Sequence, residues 1–270
     1  MPITTGDIRR DCYDCINRGP TILAVAGNTT KYDPYDQVSH SISAPMVFPT
    51  GTSRIRQISF VGVAGGNSYY LPFQIDGITS VSLPVTPALG EPKYFFTIRL
   101  TACAIFVDAY QPAPGSYTTP LGADDQRPRI IISHANAAAT YAAGMVGVNV
   151  GQNPAMFPAA ARNQLHNDHN AMLAAYPGVK IPLATLFKSN YNQAVDAEVQ
   201  RLIGQGYGNV AYGSTTKVFG FHGPGGWEFY YQTWGGYDYT RQRLVLGTQQ
   251  VLGATNLNEH RVIECRRFFP

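Results

Sequence analysis

Charge is scarce in this chain. Asp, Glu, Lys and Arg make up 14% of its 270 residues, against roughly 25% in ordinary soluble chains. Tyr, Thr, Ser, Asn and Gln must therefore supply much of the surface. Twenty Lys and Arg stand against seventeen Asp and Glu, and a net charge of +3 leaves no footprint for nucleic acid or a membrane surface. The nearest basic cluster, Arg261, Arg266 and Arg267, is interrupted by Glu264 and reads as a solvated strand face. Cysteine is sparse as well. Cys12, Cys15, Cys103 and Cys265 are too few for a disulfide framework in a chain of 270 residues. No run reaches the apolar length of a membrane span, and the N-terminus lacks the apolar stretch of a secretory signal. The expectation is a soluble protein made in a reducing compartment, which leaves open export by machinery that reads no cleavable signal.

The length suits one large domain with a substantial core, residues 1–270. Thr5 or Asp7 can cap a helix running to about Arg18, where Gly19-Pro20 stops it. Short strand-like runs follow at Thr21–Ala26, Ile42–Phe48, Arg54–Val63, Ser68–Ile75 and Thr79–Leu83, punctuated by Gly51, Gly65-Gly66 and Pro84. Two helices are expected later, Ala159–Tyr176 behind Pro158 and Asn192–Ile203 before Gly204. Strands return at Asn209–Tyr212, Lys217–Phe221, Trp227–Trp234, Arg241–Leu246 and Arg261–Phe268. Strands, then helices, then strands is an α+β order, and the expected architecture is a mixed β-sandwich-like core flanked by helices.

One stretch organises the rest. Lys93–Ala109 reads as two β-type runs joined through Thr101-Ala102-Cys103, and Arg129–Ala135 as a buried strand with His134 near its end. Tyr110–Pro128 bridges them as a loop rich in Pro, Gly and Asp. Cys with His is the minimum set for thiolate catalysis, because a thiol with a pKa of about 8.5 needs a cationic neighbour to ionise at neutral pH. A buried, inert cysteine accounts for the same pattern.

Other groupings carry less. Cys12-Tyr-Asp-Cys15 and His166-Asn-Asp-His169 could together offer zinc two Cys and two His, but four ligands from two helices would have to converge tetrahedrally. Since His169 falls on the apolar line Leu165–His169–Met172, helix packing is the simpler reading. Trp227–Tyr239 holds seven aromatics in thirteen residues, enough for a sugar platform or a protein-docking surface, or for a core face. His222-Gly-Pro-Gly-Gly is a glycine-rich loop without the Lys-Ser/Thr of a phosphate site. His40 and His260 stand alone, and Asp124-Asp125 are expected to be solvated.

The order Phe-Phe-Thr-x-x-Leu-Thr-Ala-Cys-x-Ile-Phe, Phe95 to Phe106, resembles the active-site strands of Burkholderia lethal factor, where Phe-Phe-Thr-x-x-Leu-Ser-Gly-Cys precedes a strand ending in the catalytic His. That family, with the catalytic domain of the cytotoxic necrotizing factors, deamidates a glutamine of a host protein. The resemblance spans about forty of 270 residues and implies Cys103 as nucleophile, His134 as acid/base and Thr97 as the group orienting it. Thr101-Ala102 stands where the family has Ser-Gly, and the 31-residue Cys–His spacing makes Asp108–Pro128 an insertion. Thr97 and Cys103 on one straight strand would lie roughly 20 Å apart, so the reading requires the chain to bend near Leu100–Ala102.

The resemblance thus implies a toxin- or effector-type glutamine deamidase with no cofactor and no metal. It would be made in a bacterial cytoplasm, act in the host cytosol and modify a host protein such as a translation factor or small GTPase. A transglutaminase or cysteine protease would use the same nucleophile. The rival from another class is a non-enzymatic β-sandwich binding module working through the Trp227–Tyr239 aromatics.

Overall fold

Among the described residues, strands assemble into three sheets. The computed structural model describes residues 21–22, 39–42, 46–50, 53–57, 60–62, 68–71, 74–97, 99–100, 102–116, 125–148, 155–244 and 251–270. The expected first helix with Cys12 and Cys15 lies outside these residues. The strands are β1 (Thr21–Ile22), β2 (Ser39–Ile42), β3 (Met46–Thr50), β4 (Ser53–Gln57), β5 (Phe60–Gly62), β6 (Ser68–Leu71), β7 (Ile78–Pro84), β8 (Tyr94–Thr97), β9 (Cys103–Pro112) and β10 (Arg129–Asn136). After α1 (Ala138–Gly144) and α2 (Ala159–Ala174) come β11 (Gly178–Phe187), α3 (Lys188–Tyr191), α4 (Gln193–Gly204), β12 (Gly208–Gly223), β13 (Gly226–Leu244) and β14 (Val251–Phe269).

The four-stranded sheet, in the order β11-β9-β10-β7, is antiparallel throughout. The seven-stranded sheet, β14-β13-β12-β8-β6-β2-β5, is mixed because β6 and β8 run parallel. A third sheet has the order β1-β4-β3 and shares no strand with either. Period-two alternation sorts the side chains of β9. Cys103, Ile105 and Val107 enter one core, whereas Ala104 and Phe106 enter another. In the first core Val81, Ile132 and Leu186 of the smaller sheet meet Leu71, Phe95, Val218 and Phe229 of the larger, so the two sheets pack face to face. Each such side chain, fully buried, contributes about 1.5–3 kcal/mol.

Helices cover the remaining faces. Ala161, Leu165 and His169 of α2, spaced four apart, are its buried residues, and Ala161 and Leu165 pack on Ala104, Phe106 and Ala135. α4 sets Val199 and Leu202 against Tyr237 and Tyr239. The architecture is α+β, with a sheet-rich core and flanking helices.

Two local expectations change, and a segment left unassigned becomes a strand. The segment after Pro177 forms β11, an edge strand with a register shift between Pro182 and Ala184. Proline is tolerated there because an edge strand keeps one row of N–H groups outside the ladder. His222-Gly-Pro-Gly-Gly is a tight hairpin end, with Gly223 paired to Gly226, and His222 Nε2 lies 3.0 Å from the Val85 carbonyl. Asp125 is not solvated but 6% exposed, ion-paired at 2.8 Å to the fully buried Arg129. A buried guanidinium at the start of β10 needs an anion, and the loop's end supplies it; Asp124 lies outside the described residues.

The aromatic run is a core element. Trp227, Phe229 and Tyr231 enter the inter-sheet core, and Trp227 Nε1 donates to the Pro84 carbonyl at 2.8 Å. On the opposite face, Tyr230 stacks on Phe219 and Phe221. Every described ring of this run is at most 7% exposed. These rings are therefore used in packing; the side chain of Trp234 lies outside the described ones.

Candidate active site

The chain does turn between Thr97 and Cys103. β8 belongs to the seven-stranded sheet and β9 to the four-stranded one, so the polypeptide crosses from one layer of the sandwich to the other. Leu100 donates its N–H to the Thr216 carbonyl at 2.7 Å, the last tie to the first sheet. Ala102 then takes φ 51°, a left-handed conformation that favours glycine. Cys103 follows as the first residue of β9. Thr97 is 1% exposed, two positions after the core residue Phe95, and its Oγ1 accepts the Val218 N–H at 3.0 Å.

The left-handed residue makes a measurable claim. A non-glycine residue there carries roughly 1–2 kcal/mol of strain, partly offset by glycine's extra entropy loss of about 0.5–1 kcal/mol. Ala102→Gly should therefore leave stability to urea unchanged or slightly raised. A loss of about 1 kcal/mol or more would mean that the strained backbone is not there.

Register sets the neighbours of Cys103. Directly opposite it on β10 is Asn136, and His134 lies two pairs further on, opposite Ile105. Both project to the inter-sheet side, since His134 follows the core residue Ile132 by two positions. Diagonal neighbours in an antiparallel ladder lie roughly 7–8 Å apart, within reach of an imidazole. The contact in place is with Asn136, whose Nδ2 donates to Cys103 Sγ at 2.9 Å. Asn136 is held to this task. Its Oδ1 accepts the Asp76 and Ala138 N–H groups, each at 3.1 Å, which turns the amide nitrogen toward sulfur. Asp76 is itself left-handed, φ 49°, and its carboxylate accepts the Ala139 N–H at 2.8 Å.

The other flank of Cys103 was not visible in the sequence. Phe187 pairs with Ala104, so Lys188, the next residue, arrives beside Cys103 at the end of β11. Lys188 is 8% exposed. Its Nζ donates to the Tyr141 hydroxyl and sits 4.3 Å from the centre of the Tyr141 ring. Burial brings its pKa down to about 8, while a Cys103 thiolate acts in the opposite direction. Tyr191 completes the surround with a long contact, 3.4 Å, to the Cys103 carbonyl. Burial first, then a Cys103 thiolate, hold the Tyr191 phenol well above its ordinary pKa. One end of the four-stranded sheet thus gathers a thiol, an amide, an imidazole, an amine and two phenols.

The remaining residues sort plainly. His169 is 5% exposed, stacks on Phe106 and places Nε2 2.8 Å from Asp108 Oδ2. That is the packing role its helix face implied. His166 is exposed beside Phe106 and Phe187. Among the described residues no three His, Cys, Asp or Glu side chains gather as a metal site. Burial, then the Glu264 carboxylate, push the Cys265 thiol up to about 12. Arg266 and Arg267 are exposed, as their polar strand face implied.

No protein-family model matches the chain, and no curated protein matches it.

Proposed function

We propose that the chain is a cysteine-dependent amidase of the glutamine-deamidase type, a toxin or effector acting on a host protein. The observation that carries this reading is the backbone at Ala102. The residue just before the nucleophile adopts the conformation glycine favours, where the resembling motif of the lethal factor has glycine. The change of sheet between Thr97 and Cys103, which the reading required, supports it further.

The chemistry follows from the groups at hand. The Cys103 thiolate attacks the side-chain amide carbon of a glutamine, forming a C–S bond and an oxyanion. Asn136, already donating to sulfur, has a second N–H to offer the oxyanion. His134 takes the thiol proton and returns it to the leaving nitrogen, so ammonia departs and a thioester remains. Water, deprotonated by His134, then cleaves the thioester, giving glutamate and restoring the thiol. The resemblance gives Thr97 the positioning role; its Oγ1 accepts the Val218 N–H of the neighbouring strand in its own sheet. Cys103 is 1% exposed, so a glutamine side chain enters only as part of its cover moves. α1, none of whose side chains is fully buried, is the neighbour assigned to move.

His134 gives the test. Thiolate formation, read as the pH dependence of Cys103 alkylation by iodoacetamide, should shift upward in His134→Ala, slowing the reaction at pH 7 about tenfold. Deamidation of lysate proteins, read by mass spectrometry, should disappear in the same variant. An alkylation profile identical to wild type would remove the Cys–His pair and the amidase reading with it.

A further inference from the structure

The groups gathered at Cys103 include a buried amine that the proposed reaction does not use. We infer that Lys188 is the positioning cation of the site, an ammonium whose counter-ion is the Cys103 thiolate. The assignment rests on Cys103 being the nucleophile.

A buried ammonium must find an anion or give up its proton. Among the described residues no carboxylate pairs with Lys188. Its contacts are the Tyr141 hydroxyl and the π-face of the same ring, which favour a cation without neutralising it. The strand register then leaves one candidate anion. Asn136 lies opposite Cys103 on one side, and on the other side Lys188 follows the Phe187–Ala104 pair. Cys103 therefore sits between an amide that donates to sulfur and the residue that the β11 register sets beside it, Lys188.

The proton balance is simple. The thiol proton passes to His134, which returns it to the leaving nitrogen, while Nζ keeps its own proton and the ammonium stays in place as counter-ion of the thiolate. Sγ and Nζ titrate as a coupled pair. His134 and Lys188 therefore both act on the thiolate. Tyr141, carried on α1, orients Nζ, so movement of this helix would alter the ion pair.

The facing titratable groups are few: His134 from β10, Tyr141 from α1, and Tyr191 from α3, next to Lys188 itself. Both tyrosines are held above their ordinary pKa by burial, so neither competes as the anion at neutral pH.

Thiolate absorbance in the ultraviolet, taken as the difference between the full chain and its Cys103→Ser variant, reads the charge without needing a probe to enter. Lys188→Met should move the Cys103 titration upward and cut the thiolate signal at pH 7 about tenfold, the equivalent of one pKa unit. Lys188→Arg should keep the signal, and Tyr141→Phe should lower it by less than Lys188→Met. Lys188→Gln replaces the methionine variant if that one does not fold. A thiolate titration unchanged in both folded neutral variants would overturn the assignment. The outcomes separate from those for the amidase reading. A Lys188-dependent thiolate without any deamidated protein would sink the amidase and keep the ion pair. Cys103-dependent deamidation with a Lys188-independent titration would do the reverse.

Discussion

Cys103→Ser should abolish deamidation, with a loss of roughly 10⁴-fold or more, because a hydroxyl at this position lacks the ionised nucleophile that the surrounding groups are arranged to produce. Asn136→Ala should follow with a loss of about 10²–10³-fold, the scale for removing one donor to a developing oxyanion. It should also slow Cys103 alkylation, because the amide donates to sulfur in the resting state. Asn136→Asp is the harsher change. It would set a carboxylate against the thiolate and raise the thiol pKa, so alkylation at pH 7 should fall further than in the alanine variant. The measurement is mass spectrometry of lysate proteins after incubation with each variant, alongside released ammonia. Deamidation surviving in Cys103→Ser would end the thiol mechanism. Full activity in Asn136→Ala would confine that residue to a structural role at the end of β10.

The parts of this site differ in how far the sequence exposed them, and the reasons are physical. Cys103 and His134 were legible because strands announce themselves by β-branched and aromatic runs, and a Cys at one junction with a His near another strand's end is a chemical signal. Asn136 was within reach of the same logic. It stands two positions after His134 and so shares its face in any strand that continues that far. Lys188 was out of reach. Its place beside Cys103 depends on β11, and Pro182 in the middle of Gly-Val-Lys-Ile-Pro-Leu-Ala argues against a strand until the segment is known to be an edge. The helices were the clearest elements. Pro158 and Pro177 bracket α2, which spans Ala159–Ala174 where Ala159–Tyr176 was expected, and α4 spans Gln193–Gly204 against an expected Asn192–Ile203. The long strands were seen only as fragments. β12 and β13 run 16 and 19 residues through glycines and threonines that read locally as breaks. Pairing with neighbours along their length overrides those local signals.

Arg129→Met should cost about 3–5 kcal/mol of stability, the scale for breaking a buried ion pair by removing one partner. Arg129 is 1% exposed. Its Nη1 donates to Asp125 Oδ2 at 2.8 Å, its Nε to Ser82 Oγ at 2.6 Å and its Nη2 to the Ser82 carbonyl at 2.8 Å. One side chain thus ties the start of β10 to β7 and to the end of the long loop. Asp125 also accepts from Arg127, which reaches Glu91 at 2.7 Å. The Arg127 guanidinium, then Arg129, hold the Asp125 carboxyl below its ordinary value. The sign of the pH effect follows. A carboxylate whose folded pKa is depressed gives its full contribution above the unfolded value, about 3.9, and loses it as pH falls through the folded one. Urea unfolding of wild type should therefore show a stability loss with acid, and Asp125→Asn should flatten that dependence while lowering stability at pH 7. Arg129→Lys should not rescue Arg129→Met, because a single ammonium cannot serve the Asp125 carboxylate and both Ser82 acceptors with the geometry of a planar fork. A cost below about 1 kcal/mol for Arg129→Met would mean that the pair does not anchor the loop, and that the strand holding His134 and Asn136 is fixed by the apolar core alone.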